Sequence, residues 1–269
     1  MTDTWRFIDT GPCSASYNMA LDEAIAIAVR QDSEPPTLRV YGWIAPSVSI
    51  GCFQRAADVD VEYCIENHIP IVRRPTGGRA ILHGDEITYS FSVKTTSGLF
   101  SRGLLDSYKK ISTAIGLALA TVGLSPELKL MKETRRSSPT SDCSRNPFCF
   151  RSISFGELAI NGKKVVGSAQ KRWSDSLLQQ GSIPFLVDKD EITRIFRLNA
   201  FQEIKESMIG LKEIDPELAY ERFRGAVRSS FEATFDARFI PSSPSSEEIS
   251  LASELETEKY LSHKWTFRR

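Results

Sequence analysis

Apolar residues at spacings of three and four mark a helix over Leu104–Val122. Leu104, Tyr108, Ile111, Ile115, Leu119 and Val122 share one face, and Gly123 ends it. A different period follows the glycine pair at 77–78. Ile87, Tyr89, Phe91 and Val93 alternate with Thr88, Ser90 and Ser92, which predicts a half-buried strand. The alanine-rich run Asn18–Arg30 predicts a buried helix, and Leu38–Trp43 and Ser47–Gly51 read as short extended runs punctuated by Pro46 and Gly51. Val59–Asn67 reads as a short helix and Pro70–Arg74 as a strand.

Glu157–Ile160, Asn161-Gly162 and Lys164–Val166 carry a hairpin signature, because Asn and Gly tolerate the positive φ that a two-residue turn requires. A further strand is predicted near Leu178–Phe185. The chain then turns helical from about 187. Asp188–Leu198 is one helix, and Asp215-Pro216 caps another with Tyr220, Phe223, Val227 and Phe231 on one face. A break at 241–246 precedes a last helix to about Leu261. Residues 132–148 are rich in Ser, Pro and charge and have no apolar period, so they read as a long loop. Hairpin strands with flanking helices, and no internal repeat, predict an α+β fold.

Composition narrows the function classes. The 34 basic and 34 acidic residues cancel, which argues against non-specific nucleic-acid binding. No apolar run is long enough to span a membrane, and the first residues lack a signal-peptide layout. Cys13, Cys52, Cys64, Cys143 and Cys149 form an odd, scattered set, which predicts reduced thiols in the cytoplasm. With three histidines and no zinc-type cysteine spacing, no metal and no cofactor are expected.

Four features carry candidate chemistry. In Val72–His83, a strand ends in Arg73-Arg74 before a Thr76-Gly77-Gly78 turn; it reads either as a loop lying over a ligand or as an ordinary loop with solvated arginines. In Asn161–Gln170, Lys163 and Lys164 are strand neighbours, so one faces inward and the other solvent. An inward lysine beside Gly167-Ser168-Ala169 would stabilise an anion. Cys149, between Phe148 and Phe150, is an inert core thiol unless a cation lies near it. His83 is either a general base or a hydrogen-bonded structural residue.

Taken together, these motifs resemble the biotin/lipoate protein ligase family, and within it the octanoyltransferase branch. The likeness runs nearly end to end: TWRFIDTG at 4–11, YNMALDEA at 17–24, RRPTGGRAILH at 73–83, FCF at 148–150, NGKKVVGSAQ at 161–170, QQGSIPF at 179–185 and the terminal KWTFRR. The resemblance implies one catalytic domain over 1–269, with a curved mixed sheet bordering an acyl pocket. It implies that Arg73, Arg74, Thr76, Gly77, Gly78, Arg79 and His83, with Gly167, Ser168, Ala169 and Gln170, bind substrate. It also implies that Lys164 is the catalytic lysine and Cys149 the acyl-accepting thiol. The implied reaction moves octanoyl from acyl carrier protein to a lysine of the glycine cleavage H protein or another lipoyl domain. An ATP-dependent lipoate ligase and an amidotransferase between lipoyl domains are the alternatives. A ligase needs no cysteine at 149, and this chain leaves little room for a ligase's accessory domain. After His83 the chain reads Gly84-Asp85-Glu86, a departure from the family pattern, so neither acid is expected to have an acid–base role.

Overall fold

A computed structural model describes residues 3–96, 98–100, 103–129, 157–198 and 206–268. Cys149, Cys143 and the predicted loop 132–148 lie outside the described residues. In chain order the elements are β1 (Asp3–Cys13), α1 (Ala15–Arg30), β2 (Thr37–Trp43), β3 (Ser47–Ile50), α2 (Val61–Glu66), β4 (Ile71–Arg73), β5 (Ile81–His83), β6 (Glu86–Lys94) and α3 (Leu104–Thr121). They continue with β7 (Glu127–Lys129), β8 (Glu157–Ile160), β9 (Lys163–Lys164), β10 (Gly167–Arg172), β11 (Ser176–Pro184) and α4 (Lys189–Ile195). The last are α5 (Tyr220–Phe235), β12 (Ala237–Ser242), α6 (Ser246–Leu255) and α7 (His263–Thr266).

A six-stranded mixed sheet runs β10-β11-β6-β2-β1-β12. Its β10 to β2 half is antiparallel, and its β2, β1 and β12 edge is parallel. One face carries Trp5, Leu38, Val40, Ile87, Tyr89, Phe91 and Val93 into a core with α3 and α5. The other face meets α1, which packs with Ala252 of α6. Two three-stranded sheets flank this frame, β4-β3-β5 and β7-β8-β9. The fold is therefore α+β, as the sequence predicts. Among the described residues, no helix is long and apolar enough to cross a membrane.

Three sequence expectations are modified. The strand at 87–93 is not half-buried: Thr88, Ser90 and Ser92 are all covered, because α1 lies over the hydroxyl face. Ser90 donates to Asp22 of α1 at 2.6 Å, so the alternation separates an apolar core from a buried polar layer. Asp215-Pro216 does not cap α5. The Asp215 carboxylate accepts from the Glu217 N–H, and the Asp215 carbonyl from the Leu218 N–H, which closes a separate turn before the helix starts at Tyr220. The C-terminal part is not purely helical either, since β12 runs from Ala237 to Ser242 beside β1. Pro241, which lacks an N–H, sits in this edge strand, where such a residue is tolerated.

Candidate functional site

The Asn161-Gly162 turn forms as expected. Both residues have positive φ, 52° and 73°, and Ile160 pairs with Lys163 across it. Lys164 points inward and is fully buried, while Lys163 is half-buried. The Lys164 ammonium donates to Glu157 Oε1 at 2.5 Å, one hairpin strand away. The lysine is thus paired with a carboxylate inside the protein and not left alone in the core. The chain then leaves this small sheet. Val165 and Val166 are buried, and Gly167 enters the large sheet as β10.

β10 meets the Thr-Gly-Gly loop. Arg74, 4% exposed, organises that loop from within. Its guanidinium donates to the carbonyls of Gly77 (2.6 and 3.1 Å), Arg79 (2.7 Å) and Ser49 (3.0 Å). Thr76 donates to Gln180 Oε1 at 2.8 Å. Gly78 has φ +84°, and a Cβ there would stand 2.9 Å from the Arg74 guanidinium and 3.6 Å from the Ala169 methyl. Glycine is thus needed for the turn and for the room taken by the Arg74 guanidinium.

Beneath the loop lies a narrow cleft of about 20 Å³, lined by Met19, Trp43, Ser49, Arg74, His83, Ala169 and Gly181 among others. That is room for about one water molecule. Of the sequence-predicted residues, Arg74, His83, Gly167 and Ala169 line this cleft, and Thr76, Gly77, Gly78 and Arg79 belong to the loop above it. Ser168 and Gln170 alternate to the other side of β10. There Ser168 meets the Tyr89 hydroxyl (3.0 Å), and Gln170 bonds Gln179 (2.6 Å) and accepts from Ser107 (3.2 Å). Arg73 points elsewhere, toward the backbone of Gly51, Gln54, Trp265 and Thr266.

His83 is 4% exposed and stacks on Trp43 with ring centroids 3.9 Å apart. Its Nε2 lies 2.7 Å from Ser49 Oγ and its Nδ1 2.9 Å from Glu86 Oε1. Arg74 donates to Ser49 Oγ at 3.1 Å, so the hydrogen-bonded chain runs from Arg74 through Ser49 and His83 to Glu86. The ring is thus held between the Ser49 hydroxyl and the Glu86 carboxylate. Burial pushes the Glu86 carboxyl up. The His83 ring and hydrogen bonds from His83, Thr88 and Ser182 outweigh it and leave the group below the usual carboxylate range.

Sequence reasoning missed two participants. The sequence motifs give Glu86 no role, although its spacing of three from His83 across the Gly84-Asp85 turn is a usable signal. Asp22 was read only as part of a helix. It is fully buried and accepts from Arg39 (2.7 Å), Tyr41 (2.8 Å), Ser90 (2.6 Å) and Gln180 (2.7 Å). Gln180 also accepts from Thr76, so this network reaches the loop. An acid in an alanine-rich buried face was the available cue. Among the described residues, no group of three or more His, Cys, Asp and Glu is placed to hold a metal.

The buried-lysine hairpin, β10 and the glycine loop all lie within the stretch of chain that a known enzyme family matches. The lipoyl protein ligase A/B catalytic domain model matches residues 14–232, and the chain belongs to that family. The chain is 35% identical to the octanoyltransferase LipM of Carboxydothermus hydrogenoformans, 36% to that of Kyrpidia tusciae and 32% to that of Bacillus subtilis, with 99% of each chain covered in all three comparisons. It is accordingly an acyltransferase, as the motifs imply. Among solved structures, the bipartite lipoate protein ligase of Thermoplasma acidophilum has a TM-score of 0.80 at 21% identity, covering 98% of this chain and 96% of that one. A lipoate-protein ligase A bound with ATP has a TM-score of 0.79 at 22% identity, with 99% of both chains covered. These two share the fold.

Proposed function

We propose that the chain moves an octanoyl group from acyl carrier protein, through a thioester on Cys149, to a lysine of a lipoyl-type domain such as the glycine cleavage H protein. The observation that carries this reading is the full-length likeness to octanoyltransferases, in a chain whose buried Lys164 stands three residues before the cleft strand. The Cys149 thiol gives up its proton, the thiolate attacks the thioester carbonyl, and the carrier sulfur leaves as a thiol by taking up that proton. The acceptor amine then attacks the acyl-enzyme, an amide forms, and the Cys149 sulfur is released. The first step exchanges one thioester for another and needs no ATP. The second is driven by the greater stability of the amide. The Lys164 ammonium lowers the thiol pKa and stabilises the oxyanion of each tetrahedral intermediate. The Arg74–Arg79 loop and the cleft face of β10 grip the acyl chain, each methylene contributing about 0.8 kcal/mol. We place the reaction in the cytoplasm, where Cys13, Cys52 and Cys64 remain thiols.

Intact mass spectrometry tests the reading. Octanoyl acyl carrier protein without ATP is expected to give a covalent octanoyl adduct that Cys149→Ser lacks. ATP-dependent lipoylation of an acceptor, with no such adduct, would overturn it in favour of a ligase.

A further inference from the structure

The terminal KWTFRR motif has no part in the transfer chemistry, yet it is bonded to the base of the acyl loop. The Trp265 Nε1–H donates to the Arg73 carbonyl at 2.9 Å. Arg73 Nε donates back to the carbonyls of Trp265 (3.1 Å) and Thr266 (3.0 Å), while its Nη1 holds Gly51 and Gln54, both at 2.7 Å. Arg268 donates to the Cys52 carbonyl at 2.7 Å, and the Cys52 N–H donates to the Thr76 carbonyl at 2.9 Å. The residue after Arg73 is Arg74, whose guanidinium carries the Gly77 and Arg79 carbonyls. The tail therefore fixes the loop's root through directional bonds to its backbone.

Its other end is fastened as well. Lys259 (2.5 Å) and the Tyr260 hydroxyl (2.6 Å) both donate to Glu23 Oε2 on α1, and Lys171, near the end of β10, reaches Glu23 Oε1 at 3.3 Å. Trp265 sits between the two anchorages. Lys259 Nζ lies 4.2 Å and the Arg268 guanidinium 3.9 Å from its ring centroid, within reach of cation–π attraction. One segment thus ties β10 to the root of the loop that closes over it.

We propose that Trp265 is a positioning residue for acyl binding, and that the tail 263–268 sets how closely the Arg74–Arg79 loop closes on Ala169. This rests on the transferase reading above. The test uses full-length Trp265→Ala and Trp265→Phe, the second keeping a ring but losing the Nε1–H donor. Hydrogen exchange is read over 72–80 and over α3, and Cys149 acylation is followed at varied octanoyl acyl carrier protein to separate KM from the saturated rate. In Trp265→Ala we expect faster exchange over 72–80, unchanged exchange in α3, and a KM raised about tenfold, since small misplacements remote from the chemistry cost up to about 10²-fold. The saturated rate stays within about twofold, as befits a loss of uniform binding. Trp265→Phe falls between wild type and Trp265→Ala. Wild-type exchange over 72–80, or a fall in the saturated rate with unchanged KM, overturns the proposal. If Trp265→Ala does not fold, Trp265→Phe decides it by the same readouts. A wild-type protein that forms no Cys149 adduct refutes the transferase reading instead, and the exchange data still decide whether the tail holds the loop.

Discussion

Gly51→Ala is expected to disable the acyl loop while leaving most of the fold intact. A Cβ on Gly51 would stand 1.9 Å from the Gly78 carbonyl oxygen, 2.9 Å from the Gly78 carbonyl carbon and 3.3 Å from that of Gly77. These are backbone atoms, so no side chain can swing aside. Ordinary contact begins near 3.4 Å, so the Gly78 carbonyl must retreat by about 1.5 Å. Overpacking of this kind costs about 1–3 kcal/mol of stability. The larger effect falls on function: moving the loop by more than about 1 Å weakens acyl binding and lowers acylation of Cys149 by about 10²-fold at octanoyl acyl carrier protein well below KM. Urea unfolding measures the first quantity, and the rate of octanoyl adduct formation measures the second. Gly77→Ala is the matched stability control, because a Cβ there meets nothing within 4 Å. Acylation below KM within about twofold of wild type in Gly51→Ala would refute the claim that loop height sets acyl binding.

Other expectations follow from the same contacts. Gly181→Ala would drive a Cβ to 2.2 Å from the ring of fully buried Tyr89, whose hydroxyl bonds Ser168 and Gln179; a loss of about 2–4 kcal/mol in urea unfolding is expected. Lys164→Ala should shift the pH midpoint of Cys149 alkylation upward, and an unchanged midpoint removes the thiolate-activating role. Glu86 titrates below its usual 4.5 in the folded state, so its contribution to stability is present above that value and lost as pH falls through the lower folded one. The stability gap between wild type and Glu86→Gln should therefore narrow as urea unfolding is repeated from about pH 7 to about pH 3. Burial raises the Cys64 thiol to about 11, so a thiol reagent at pH 8 should spare Cys64 in the native protein and label it in urea, as peptide mapping would show.

Local signals were legible in the sequence, and long-range pairings were not. The Asn161-Gly162 turn could be read because two adjacent residues alone determine it. α3 could be read because its apolar stripe continues over the whole helix. β1 and β12 escaped because their partnership joins residues more than 200 positions apart, as in Asp3 with Ala237. The period at 87–93 identified a strand, but its hydroxyl face is buried by a helix some seventy residues earlier. Only the Asp22 network explains why that face is polar. The loop and the hairpin lysine were visible as motifs. Which way Arg73 turns depends on the tail and lies beyond any local pattern.

The passage from β9 to β10 acts as a molecular ruler. Lys164 belongs to one sheet and Gly167 to another, and only Val165 and Val166 stand between them. Three peptide units span at most about 11 Å, so the distance from the lysine's backbone to the acyl strand is capped by covalent geometry. Packing can bend this tether but cannot stretch it. One residue added there would turn Ala169 away from the cleft, and one removed would draw Lys164 off Glu157. Two apolar, chemically inert valines thus set how far the buried lysine can stand from the cleft strand through their number alone.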